Sequence, residues 1–144
     1  MDYQVGLQGR VFLCKFNHLE DPLRAIRELA IKEDIRTGFF NLIGAIQKGS
    51  MVVGPEKDEL PPIPVYNELD QVYEVVGMGT IFWKDDEPAI HLHAAFGKGD
   101  SVKVGCLRNE AETFLILEAV IYELRGIEAK RVYDPASKHY LLKV

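Results

Sequence analysis

Residues 71–96 read QVYEVVGMGTIFWKDDEPAIHLHAAF. Apolar and polar residues alternate in two runs, and Asp85-Asp86 supplies turn chemistry between them. Alternation with period two is the mark of half-buried β-strands, and a short polar turn makes the two runs an antiparallel hairpin. The second run ends on His91-Leu92-His93. Residues two apart on a strand share a face, so both imidazoles project together and Leu92 projects to the opposite side. Their Cα atoms stand roughly 6.6 Å apart at about 3.3 Å rise per residue, a span across which two imidazoles can converge on one ion.

Working outward, Gly97-Lys98-Gly99-Asp100 is a turn, and SVKVGCL at 101–107 is the next strand. If Gly99-Asp100 forms a two-residue loop, His93 faces Cys106. If Lys98-Gly99 forms it, His91 faces Cys106. Either even-length loop brings the sulfur to the histidine face, whereas an odd loop without a bulge sends it to the other. His91, His93 and Cys106 are therefore candidate metal ligands. Two imidazoles and a thiolate suit zinc, with a fourth position left for water, and copper, nickel or iron could occupy the same set. Each has a plainer alternative: His-x-His as polar surface, and Cys106 as a small buried hydrophobe.

Strands also account for most of the rest. GLQGRVFLCKF at 6–16 alternates. Asp21-Pro22 starts a helix, because Asp caps the first turn and Pro fits the first helical position. Leu23, Ile26, Leu29 and Ala30 keep helical spacing up to about Asp34. The apolar stretch FFNLIGAIQKGSMVVG at 39–54 reads as two strands, with a bend at Gly44 and a tight turn at Lys48-Gly49. Residues 55–70 hold four of the seven prolines and read as a surface loop. ETFLILEAVIYELR at 112–125 fits helix or strand, and its β-branched and aromatic residues favour strand. A turn at Asp134-Pro135 precedes a last short strand, HYLLKV. The expected fold is α+β: a mainly antiparallel sheet of seven or eight strands with one main flanking helix, as a single domain over 1–144.

Composition bounds the function. The chain has 144 residues, 47% hydrophobic and 27% charged, near the globular average. Its formal charge is −5, a handicap for gripping a phosphate backbone. Arg24, Arg27, Lys32 and Arg36 are interleaved with Glu20, Glu28, Glu33 and Asp34, the pattern of a solvated helix. Cys14 and Cys106 are too few for a disulfide framework, and a reducing, cytoplasmic setting is expected. Neither a signal-peptide core nor an apolar run of about 18 residues is present. Cys14 reads as core; His18 and His139 read as surface; Asp85, Asp86 and Glu87 read as turn chemistry. Glu110 and Glu112 follow Cys106 and could orient a ligand. No phosphate-binding loop, dinucleotide fingerprint or nucleophile elbow occurs.

The same segments resemble the PPC domain, a plant-and-prokaryote family that in plants follows AT-hook DNA-binding segments. The resemblance is carried by GRVFLCKFNHLEDPLRAIRELAIKEDIRTGFFNLIGAI (9–46), by VVGMGTIFWKDDEPAIHLHAAFGKGD (75–100) and by VGCLRNEAETFLILEAVIYEL (104–124). Many members have Gly-Gly-His-Leu where Val104-Gly105-Cys106-Leu107 stands, so Cys106 matches the family's third histidine. The resemblance implies an antiparallel sheet with flanking helices, a homotrimer, and a DNA-binding or transcription-regulatory role. No Arg-Gly-Arg-Pro hook is present to enter a minor groove, so weak DNA binding is expected of this domain alone. The alternative reading is a metal-dependent enzyme or small-ligand-binding protein built on the His91/His93/Cys106 ion.

Overall fold

The computed structural model describes all residues, Met1–Val144. In chain order it contains β1 (Leu7–Asn17), α1 (Pro22–Lys32), β2 (Thr37–Pro55), β3 (Pro64–Leu69), β4 (Tyr73–Lys84), β5 (Glu87–Lys98), β6 (Ser101–Arg125), β7 (Lys130–Asp134) and β8 (His139–Lys143). All pairings are antiparallel. The eight strands and single helix agree with the α+β expectation.

Local chemistry cuts these elements. The β4–β5 hairpin closes Lys84 on Glu87 around Asp85-Asp86, with Asp85 at φ 52°, a conformation Asp tolerates better than most residues. Lys98 pairs with Ser101, so Gly99-Asp100 is the two-residue loop and Gly99 takes φ 57°. The Asp21 carboxylate accepts from the Leu23 and Arg24 N–H groups at 2.9 and 3.2 Å. Such a cap contributes about 0.5–2 kcal/mol.

Strand order in the main sheet is β1-β6-β5-β4-β2-β3, and β6 also pairs with β2. β2, β4, β5 and β6 therefore close into a ring, each paired with two others. The ring's interior and the inner face of α1 share one core, which includes Phe40, Leu42, Ile46, Ile81, Leu92, Phe96, Leu117, Ile121 and the helix residues Ile26 and Ala30.

Three sequence readings change. Lys48-Gly49 is not a turn: residues 37–55 form one 19-residue strand. β6 runs beside β2 from Gly38 to Val52, and register shifts between Gly44 and Ser50 absorb the bend. Gly44 takes φ 137°, and a Cβ there would lie 2.5 Å from the Ile116 carbonyl oxygen. Second, the proline-rich excursion ends in β3, which pairs with Gly49–Pro55 of β2. It is an edge strand, where a proline at the first position costs no ladder bond. Third, the strands at 101–107 and 112–125 are one 25-residue strand, irregular at Asn109 (φ 57°) and Leu115 (φ 60°). The tail forms a separate β7–β8 hairpin.

Candidate metal centre

The core fixes which way the histidines point. Leu92 is fully buried in the ring, so the alternation of β5 sends His91 and His93 to the outer face. β6 pairs His93 directly with Cys106, and cross-strand partners share a face. Cys106 is 4% exposed yet lies outside the twenty-residue core; it is buried on the histidine side. The two Nε2 atoms are 3.1 Å apart, and the ligand atoms of His91, His93 and Cys106 all lie within 4.8 Å of one another.

Two glycines let the ligand-bearing strands approach their neighbours. Gly79 of β4 sits opposite Leu92, where a Cβ would lie 2.6 Å from Phe40 Cε1 and 2.7 Å from the His91 carbonyl oxygen. Gly105 precedes Cys106, and a Cβ there would lie 2.5 Å from the Val52 carbonyl oxygen and 2.6 Å from Met51 Cε. Any side chain at either position would displace a strand that carries a ligand.

Burial, then the charges of Arg131, His93 and Arg108, push the His91 pKa down from 6.5 to about 4. Burial pushes the Cys106 thiol up, opposed by Arg108 and Arg131. The neutral His91 ring keeps a free lone pair at physiological pH, the form that binds a metal. In the metal-free protein, an NMR titration of the His91 ring should give a midpoint near 4. The unfolded ring takes its proton near 6.5, so acid between these values favours unfolding. A midpoint at or above 6.5 would contradict the burial of this side chain.

Glu110 is exposed and forms no ion pair, and the remaining candidates are engaged elsewhere. Glu112 accepts from Gln47 at 3.1 Å and from Lys48 at 3.3 Å. His18 Nδ1 accepts the Leu115 N–H at 3.2 Å, supporting the irregular turn of β6. His139 Nδ1 stands 2.6 Å from the Ser137 carbonyl oxygen. Cys14 is half-buried and packs against the core. Two residues near the site escape the sequence reading. Arg108 lies two positions beyond Cys106 in unbroken register with β2, which period two could have found. Arg131 arrives from β7, whose docking against β4 has no signature in the sequence pattern.

The family model of the Plants and Prokaryotes Conserved (PCC) domain matches residues 3–125. The chain belongs to this family. The PCC-matched segment includes the ring, the helix and all three candidate ligands, and it ends before the β7–β8 hairpin. A metal-containing protein from Archaeoglobus fulgidus is 27% identical, with a TM-score of 0.87 over 100% of both chains. A plant- and prokaryote-conserved (PPC) protein from Pyrococcus horikoshii is 26% identical, with a TM-score of 0.85 over 100% of this chain and 99% of that one. A conjectured DNA-binding protein from Ralstonia eutropha shares the fold at 21% identity, with a TM-score of 0.75 over 92% and 90% of the two chains. No curated protein matches the sequence. No helix is long and apolar enough to cross a membrane.

Proposed function

We propose that this PCC-domain protein holds one divalent transition ion per chain through His91, His93 and Cys106, with zinc favoured. The observation that carries the reading is the convergence of two imidazoles and a thiol on one strand face. The donor chemistry fits. Two imidazoles at tetrahedral zinc, each about 2.0–2.1 Å from the ion, stand about 3.3 Å apart, close to the 3.1 Å between the Nε2 atoms. Soft sulfur beside nitrogen selects zinc-like ions over magnesium or calcium. The Archaeoglobus fulgidus relative, described as metal-containing, supports the same reading. A zinc ion with three protein ligands supplies Lewis-acid polarisation at a position open to an outside ligand. That favours a metal-dependent enzyme or small-ligand-binding protein over a purely structural ion. Elemental analysis of the purified protein tests the reading: about one transition ion per chain is expected, and a metal-free chain after purification without chelators would reject it.

The family resemblance supports a second reading, a DNA-associated or transcription-regulatory role. Three cations on and around α1 are spent on neighbours, whereas Arg27 and Lys32 form no ion pair. Arg24 pairs with Glu28 at 3.3 Å, Arg36 with Asp34 at 2.6 Å, and Arg10 with Glu33 at 3.2 Å. With a net charge of −5, this chain should bind duplex DNA without sequence preference, at roughly micromolar affinity or weaker at physiological salt. Nanomolar, sequence-selective retardation in a mobility-shift titration would overturn that expectation.

Assembly belongs to the same proposal. Val76, Met78, Val102 and Val104 are each more than half exposed on the outer face beside His93. Ile43 of β2 and Leu115 of β6 are also exposed. A contiguous apolar surface of this kind marks an association site, and the family resemblance implies a homotrimer. Light scattering at micromolar concentration should give near three times the 16.3 kDa chain mass. A monomer mass would reject the trimer.

A further inference from the structure

Arg131 reaches the histidine face from outside the PCC-matched segment. Its Nη2 donates to Thr80 Oγ1 at 3.3 Å, and Thr80 is the direct cross-strand partner of His91. Arg131 is partly buried. Arg108 projects from the same side of β6 as Cys106, because the register from Val52↔Cys106 to Ser50↔Arg108 is unbroken. Neither guanidinium takes part in any of the chain's ion pairs. Of the carboxylates that follow on β6, Glu112 is tied to Gln47 and Lys48, and Glu110 takes part in no ion pair.

Two cations beside the ligand-bearing face, one of them partly buried and neither in an ion pair, suit an anion that joins them. Arg10, by contrast, is paired with both Glu33 and Glu123. A divalent ion on two neutral imidazoles and one thiolate would add further positive charge. A guanidinium fork matches the paired terminal oxygens of carboxylate or phosphate.

We propose that the site takes a small oxyanion, with one terminal oxygen on the ion and the others held by Arg131 and Arg108. The shared chemistry is that of a phosphate or carboxylate terminus. This rests on the metal reading above and adds the ligand class. Arg131 orients the anion; Arg108, more exposed, adds charge. Thr80 holds the Arg131 fork against β4, directly across from His91.

The test uses the full chain loaded with cobalt(II), whose visible spectrum reports its ligands. Inorganic phosphate and malonate are titrated in parallel. At least one should give a saturable spectral change at one anion per chain. Arg131→Ala should weaken that anion tenfold or more while cobalt still binds one per chain. Arg131→Lys, which keeps the charge but not the fork, should recover only part of the loss. Arg108→Ala should weaken binding less and reduce its dependence on salt. A response to phosphate alone assigns the site to phosphate groups, and a response to malonate alone assigns it to carboxylates. Cobalt bound one per chain with no saturable response to either anion would overturn the inference and leave the metal reading standing. An unchanged anion affinity in both Arg131→Ala and Arg108→Ala would do the same. Failure of the parent chain to bind cobalt would overturn the metal reading, and this inference with it.

Discussion

His91→Ala and His93→Ala proteins, purified alongside the parent chain, should carry no stoichiometric transition metal. Each change removes one of three donors, and a thiolate with a single imidazole does not make a closed chelate. The loss should far exceed the roughly 10–100-fold that removal of an outer-shell partner typically costs a metal site. Cys106→Ser should weaken binding, because a hydroxyl is a poorer and harder donor than a thiolate. Cys106→His should retain the ion, since the family pattern has an imidazole at that place. Both histidines project from the outer face, with His93 exposed, so the alanine variants should keep their fold, as circular dichroism would verify. Metal at one ion per chain in both histidine variants would refute the assignment.

The second large effect lies in the core beneath the site. Phe40→Ala should destabilise the protein by about 3–5 kcal/mol, the usual cost of deleting a buried aromatic side chain. Phe40 is fully buried, and its ring fills the space that a Cβ on Gly79 would enter. Gly79→Val should be destabilising on its own, by about 1–3 kcal/mol or more, through overpacking. The double variant should then cost less than the sum, because the valine partly fills the cavity and no longer meets the ring. Denaturant titration of the four proteins checks this. Strict additivity would mean that Gly79 is not where β4 makes room for Phe40.

Much of the site was legible in the sequence because it depends on rules of period two. Leu92 had to face the core once 71–96 read as a hairpin, and that sends His91 and His93 outward. The loop left two registers open, pairing Cys106 with either histidine, and Gly99-Asp100 selects His93. What lay beyond the sequence was non-local. Lys48-Gly49 looks like a turn from its residues, yet β6 lies along β2 from Gly38 to Val52 and keeps it one strand through a bend. The ring closure between β2 and β6 joins residues up to 85 apart in the chain, such as Gly38 and Glu123, and no local pattern records it. β3 was hidden by the proline-rich stretch that leads into it and by Pro64 at its first position, which an edge strand tolerates. Arg131 was invisible for the same reason as the ring. Its relation to His91 is made by the packing of a terminal hairpin on β4, not by spacing.

X-ray absorption at the zinc edge of the zinc-loaded protein reads the donor set directly. Two imidazole nitrogens should appear at about 2.0–2.1 Å and one sulfur at about 2.3 Å, with any remaining scatterer light. The sulfur contribution should vanish in Cys106→Ser and be replaced by nitrogen in Cys106→His. A first shell of oxygen and nitrogen alone in the parent protein, or one with more than one sulfur, would contradict ligation by His91, His93 and Cys106.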